Sequence, residues 1–148
     1  MFEFISLDET GLKEYESWFS DPELTRRIER PTSDWFRYVR SEPGVYSWMI
    51  HEAGVAVGLI QLDVSADQIG SFSVAVKPVL RNQGVGRRII QAFLARPEVL
   101  RLDRLEGTVE RDNVPAQRCL RAAGFTQEGV DPDSEGFLAF ALEPQHKT

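Results

Sequence analysis

The sequence predicts an α/β domain: a mixed, mostly antiparallel sheet with one parallel β-α-β crossover. Strand-like runs at 45–51, 55–64 and 69–76 follow one another across short turns, which makes the middle of the chain an antiparallel meander. A two-glycine loop, Arg81-Asn82-Gln83-Gly84-Val85-Gly86, then leads from the strand 69–76 into an amphipathic helix and on to a strand at 105–109. That succession is the length of a right-handed crossover, so the strands 69–76 and 105–109 are predicted to be parallel. The chain has 148 residues, 42% of them apolar and 10% aromatic. It can therefore close one core as a single domain, 1–148, without disulfide or metal.

Along the chain, Phe2 and Phe4 alternate with Glu3 and suggest a first strand at 1–7. Leu12, Tyr15 and Phe19 then recur at helical spacing, with Asp8 and Glu9 where a helix start favours negative charge, and Asp21-Pro22 ends the run. Pro22 opens a second short helix through Glu29, and Thr32-Ser33-Asp34 offers caps for a third at 35–40. These helices gather Trp18, Phe19, Trp35, Phe36 and Tyr38, either as core or as the lining of an aromatic pocket. Glu42-Pro43-Gly44 is a turn, Glu52-Ala53-Gly54 a hairpin signal, and Gly58 marks a bulge or a close backbone approach. After the glycine loop, Val85, Ile89, Phe93 and Leu94 make one helical face that Pro97 stops. Asn113-Val114-Pro115 starts the next helix and Gly124 ends it. Strands at 125–130 and 137–142, joined by the acidic loop DPDSEG, complete the pattern.

Seventeen basic against twenty-three acidic side chains give a formal charge of −6, which argues against non-specific nucleic-acid binding and suits a cationic small molecule or peptide. Cys119 is the only cysteine, so no internal disulfide forms and a reducing compartment is expected. The acidic start, MFEFISLDETGLKEYE, lacks a signal-peptide layout. No run approaches the roughly 20 apolar residues of a membrane span. The expectation is a cytoplasmic protein away from the membrane.

The loop 81–86 carries the clearest chemistry. A helix start presents unpaired N–H groups and partial positive charge, so phosphate oxygens bind there without side-chain ligands. Gly84 and Gly86 permit positive φ and close approach, and Arg81, Arg87 and Arg88 add positive charge in an acidic chain. A nucleoside-triphosphate loop would need Lys-Ser/Thr after the second glycine, and a dinucleotide fold a third glycine and an all-parallel start; neither is present.

Val76-Lys77-Pro78, Arg81-x-x-Gly84-x-Gly86, Asn113-x-x-Ala116 and Gly124-Phe125, in this order and spacing, resemble the GNAT superfamily of N-acetyltransferases. The motif region covers about 69–125, and the order of elements fits the GNAT fold over nearly the full chain. Within that superfamily the wording ERDNVPAQRCLRAAGF looks closest to the RimJ/RimL-like or aminoglycoside-acetyltransferase-like branch. The resemblance implies acetyl-CoA as cofactor, with its pyrophosphate on the amides of Arg81, Asn82, Gln83, Gly84, Val85, Gly86 and Arg87. It also implies a bulged strand 69–76 that splays from its parallel neighbour, with the pantetheine arm pairing alongside Val74, Ala75 and Val76. Asn113 matches an asparagine that contacts the cofactor, and it equally suits a helix N-cap. A homodimer is implied only because many members of the superfamily form one.

Acetyl transfer to an amine requires a neutral nucleophile, and a lysine-like amine with a pKa near 10.4 needs a base or water chain. Many members place an acidic tyrosine seven residues after the asparagine, where this chain has Leu120; N-terminal acetylases often carry a glutamate five residues before it, where this chain has Thr108. Glu106, Thr108 and Glu110 share one face of their strand, and Glu110 lies nearest the end where the sheet would open. Glu110 is thus the first candidate base, followed by Asp63 and His51. Cys119 reads as a small core residue. Asp131, Asp133 and Glu135 are either an exposed charged hairpin or a contact for a cationic acceptor. The functional expectation is direct transfer to a primary amine of a small molecule or peptide; the alternative is a non-catalytic acyl-CoA-binding sensor or interaction module.

Overall fold

A computed structural model describes residues 1–144. Strand β1 (Phe2–Ser6) is followed by α1 (Glu9–Ser17), whose start is capped by Asp8 accepting the Gly11 N–H at 2.7 Å. A 3-10 turn over Trp18–Ser20 leads to α2 (Pro22–Arg27), with Pro22 in its first turn and Asp21 as N-cap. Helix α2 stops short of the predicted Glu29 because Ile28 is extended, at φ −134 and ψ 139. Helix α3 (Ser33–Ser41) starts where Thr32 accepts the Trp35 N–H at 3.0 Å.

Strands β2 (Val45–Glu52) and β3 (Val55–Val64) are joined by Ala53 and Gly54, both left-handed with φ of 51 and 79, the two-residue geometry that matches strand twist in a tight hairpin. Strand β4 (Ile69–Val76) coincides with its predicted span. A 3-10 turn (Pro78–Leu80) and α4 (Val85–Leu94) follow. Pro97 does more than stop α4, since it opens a further short helix, α5 (Pro97–Leu100). Strand β5 (Arg104–Glu110), α6 (Val114–Ala122), β6 (Thr126–Glu128) and β7 (Phe137–Leu142) complete the chain. Strand β6 is shorter than predicted, and left-handed Gly129, φ 71, follows it directly.

The seven strands form one sheet in the order β1-β2-β3-β4-β5-β7-β6. Its parallel register pairs Ile69 with Arg104, Gly70 with Leu105 and Ser71 with Glu106, as the crossover rule predicts. Strands β5 and β7 are antiparallel from Leu105↔Leu142 to Glu110↔Phe137. None of the described helices is long and apolar enough to cross a membrane.

By contacts the chain divides into two compact units, residues 1–62 with 74–86, and residues 63–73 with the chain from Arg87 onward. In the first, Leu7, Tyr15, Trp18, Phe19, Leu24 and Met49 are buried together, with Trp35 and Phe36 packed against them. The Tyr15 ring meets Trp18 and Phe19 edge-on at 5.5 and 5.0 Å, so this aromatic group is core, while Tyr38 is exposed. In the second, Phe72 lies against Phe93 and Phe125 at 5.2 and 5.6 Å between ring centroids. Gly107 makes room for it, since a Cβ there would lie 3.2 Å from Phe72 Cε1.

Ser47 on β2 is buried, and among the described residues its Oγ finds no partner. A buried unpaired hydroxyl costs about 1 kcal/mol or more. Ser47→Ala is therefore expected to raise the unfolding free energy, as measured by urea denaturation.

Candidate active site

The loop after β4 is assembled within the first unit. Lys77 donates its N–H to the Val57 carbonyl at 2.9 Å, fixing the end of β4, and the Pro78–Leu80 turn then redirects the chain. Arg81 donates its backbone N–H to Pro78 O at 3.2 Å. That amide is therefore bonded within the preceding turn. Asn82 and Gly84 are left-handed, with φ of 63 and 78. Left-handed residues alternating with ordinary ones turn successive N–H groups to one side, the concave arrangement that receives anions. Gln83 closes the loop by donating from Nε2 to Val79 O at 3.2 Å.

The two glycines do different work. A Cβ on Gly84 would meet nothing within 4 Å, so its requirement is the left-handed φ. Gly86 is not left-handed, and a Cβ there would lie 3.2 Å from Val76 Cγ2, so its requirement is the close passage of α4 against β4. Val85 is buried, whereas Arg87 and Arg88 are exposed.

Two ion pairs join the N-terminal helices to this segment. Arg81 Nη2 lies 2.7 Å from Asp21 Oδ2, and Nη1 3.5 Å from Oδ1. Lys77 Nζ lies 3.4 Å from Glu14 Oε2, the oxygen that also accepts from Trp18 Nε1. The Arg81 charge is met here by Asp21. The Arg81 guanidinium, and then the Leu24 N–H, hold the Asp21 carboxyl below its ordinary pKa.

In the second unit, Asn113 is the N-cap of α6, its Oδ1 accepting from the Ala116 N–H at 3.4 Å. Its own N–H donates to Glu110 O at 2.9 Å, and Gln117 Nε2 donates to Arg111 O at 2.9 Å and Glu110 O at 3.3 Å. These bonds stitch the end of β5 to the start of α6. Glu110 is the last residue of β5, half-buried, on the face it shares with Glu106 and Thr108, while Leu105, Gly107 and Val109 face the other way and are buried. Asp63 is half-buried on β3, and His51 is half-buried on β2 opposite Glu3. The three candidate bases thus stand on three strands.

Leu120 is buried, and Cys119 is half-buried with its thiol pushed up by desolvation against the opposing pull of Arg87, which suits packing better than nucleophilic chemistry. In the acidic loop, Asp133 Oδ1 accepts from the N–H groups of Glu135 and Phe137, so that carboxylate builds the turn. Among the described residues no group of three or more His, Cys, Asp or Glu could hold a metal ion.

A sequence model of the acetyltransferase (GNAT) domain matches residues 3–126. The chain therefore belongs to the GNAT family and is an acyltransferase that transfers acetyl groups to amines. It is 26% identical over 141 residues to the uncharacterized N-acetyltransferase YfmK of Bacillus subtilis, covering 94% of this chain and 95% of that one. It is 27% identical over 112 residues to the L-amino acid N-acetyltransferase AaaT of Escherichia coli, covering 72% of this chain and 69% of that one. The spermidine N-acetyltransferase of Vibrio cholerae, solved with CoA and spermine, superposes with a TM-score of 0.81 at 16% identity, over 97% of this chain and 95% of that one.

Sequence reasoning did not pair Asp21 with Arg81 or Glu14 with Lys77. The sole local signal was Asp21-Pro22, legible as a helix boundary and silent about a partner sixty positions away. Because the Asp21 carboxyl is held below its ordinary value of 3.8, it contributes stability above that pH which is lost as pH falls through its folded pKa. Asp21→Asn is expected to flatten the fall of melting temperature below about pH 4, as read by circular dichroism; an unchanged acid limb would contradict the assignment.

Proposed function

We propose that the chain is an acetyl-CoA-dependent N-acetyltransferase that moves the acetyl group directly to a primary amine of a small molecule or peptide. The observation that carries this is the loop 82–86 in a GNAT-family chain: left-handed Asn82 and Gly84 lead into a helix start, with open space beside Gly84. That cradle fits a diphosphate ester, whose oxygens accept from converging N–H groups.

The amides of Asn82, Gln83, Gly84, Val85, Gly86 and Arg87 would hold the pyrophosphate. Val74, Ala75 and Val76 lie along β4 beyond the last parallel pair at Ser71, so their backbone groups suit strand-like pairing with the pantetheine arm. With Oδ1 of Asn113 committed to the helix cap, its side-chain NH2 is the group left to meet the cofactor. The cofactor when bound supplies an activated thioester. A backbone N–H at the end of β4 would stabilise the charge that develops on the acetyl oxygen.

Glu110, with Asp63 and His51 as further candidates, would take the proton from the ammonium, whose pKa near 10.4 keeps it charged at neutral pH. Leu120 offers no proton. This chain then leaves the departing sulfur, with a thiol pKa near 8.5, to solvent. The acceptor class draws support from the family and from the relatives, which are named for L-amino acids and spermidine. The charge of −6 favours a cationic one. A cytoplasmic location fits the lone cysteine.

Acetyl-CoA at a hundred times its Kd is expected to stabilise the fold by about 2.7 kcal/mol, seen as a rise in melting temperature; no rise would remove the acetyl-CoA reading. Thiol release with a panel of amines then identifies the acceptor class. Gly84→Val should lose acetyl-CoA binding, because a β-branched residue does not adopt φ 78 without strain. Glu110→Gln should retain binding and slow turnover by about 10² to 10⁴ fold; an unchanged rate at pH 7 would remove Glu110 as the base.

A further inference from the structure

The Arg81–Asp21 pair has an unusual arrangement for a residue at the mouth of an anion cradle. The Arg81 backbone N–H is already bonded to Pro78 O, so the guanidinium is the only part of Arg81 that can serve an anion. That guanidinium is bound to a carboxylate of the chain's own. Asp21 Oδ2 is moreover shared: it accepts Arg81 Nη2 at 2.7 Å and, as the N-cap of α2, the Leu24 N–H at 2.9 Å. One oxygen thus ties the start of α2 to the loop.

Guanidinium binds carboxylate and phosphate by the same planar, two-pronged geometry, so the two anions compete for it. A diphosphate has more negative charge than Asp21 and is held beside Arg81 by the loop amides. We propose that Asp21 is a built-in competitor for the anion at the loop: a diphosphate ester bound at 82–86 takes the Arg81 guanidinium from Asp21 and frees the start of α2 from the loop. This rests on the acetyl-CoA reading above. By linkage, whatever strengthens the Arg81–Asp21 pair weakens anion binding, and the reverse.

Asp21→Asn isolates the charge, because asparagine caps a helix about as well as aspartate. Calorimetric titration with CoA on the wild type, Asp21→Asn, Arg81→Gln and the double variant should show a Kd lowered about two- to fivefold by Asp21→Asn, the range of a part-exposed ion pair. Arg81→Gln should raise the Kd, and adding Asp21→Asn to it should change nothing further. Equal tightening in both backgrounds would show a general charge effect and overturn the proposal, as would an unchanged Kd for Asp21→Asn. In the wild-type protein, inorganic pyrophosphate should shift the Arg81 side-chain Nε–H resonance; a resonance that stays put while pyrophosphate binds overturns the exchange without recourse to variants. Failure of the wild type to bind CoA at all would remove the acetyl-CoA reading and this proposal together, whereas CoA binding with unshifted variants removes only this one.

Discussion

Between Val76 and Gly86 the chain leaves a strand, reverses and re-enters as a helix that passes close to the strand it has just left. A Cβ on Gly86 would come 3.2 Å from Val76 Cγ2, so a side chain there would crowd the crossing. The reversal needs left-handed backbone at Asn82 and Gly84, and that same backbone turns successive N–H groups to one side. Geometry that solves a packing problem is therefore also the geometry that the proposed anion site would use. Lys77 bonded to Val57 O, and the 3-10 turn before Arg81, fix where the cradle starts.

The N-terminal helices serve this segment electrostatically as well as by packing. Tyr15, Trp18 and Phe19 bury the faces of α1 and the following turn, while Glu14 and Asp21 reach two cations that precede the loop 82–86, Lys77 and Arg81. Side-chain positive charge at the loop is thus partly met from within the chain. In the proposed site the fixed part of the attraction would come from backbone N–H groups. In the second unit, Gln117 and Asn113 hold the end of β5, the strand that carries Glu110.

Much of this was legible in the sequence where one physical signal was local. Alternation bounded by turns located β4 at Ile69–Val76, and Asn113 and left-handed Gly124, φ 102, bracket α6 as read. The crossover rule gave the parallel pairing of β4 with β5. Other features have no local signal. A four-residue helix such as α5 shows no periodicity, so Pro97 read only as a stop. The sequence also could not divide the roles of Gly84 and Gly86, because one depends on φ and the other on a neighbour ten positions back. The partner of Arg81 was not legible because Asp21 is sixty residues away.

The central claim, that the loop 82–86 is the cofactor's diphosphate site, is tested most directly by following backbone amide resonances as CoA is titrated into the protein. The account predicts the largest shifts at the amides of Asn82, Gln83, Gly84, Val85 and Gly86, with smaller ones at Val74, Ala75 and Val76. Saturable CoA binding that leaves those loop amides unmoved, with the shifts elsewhere in the chain, would contradict it.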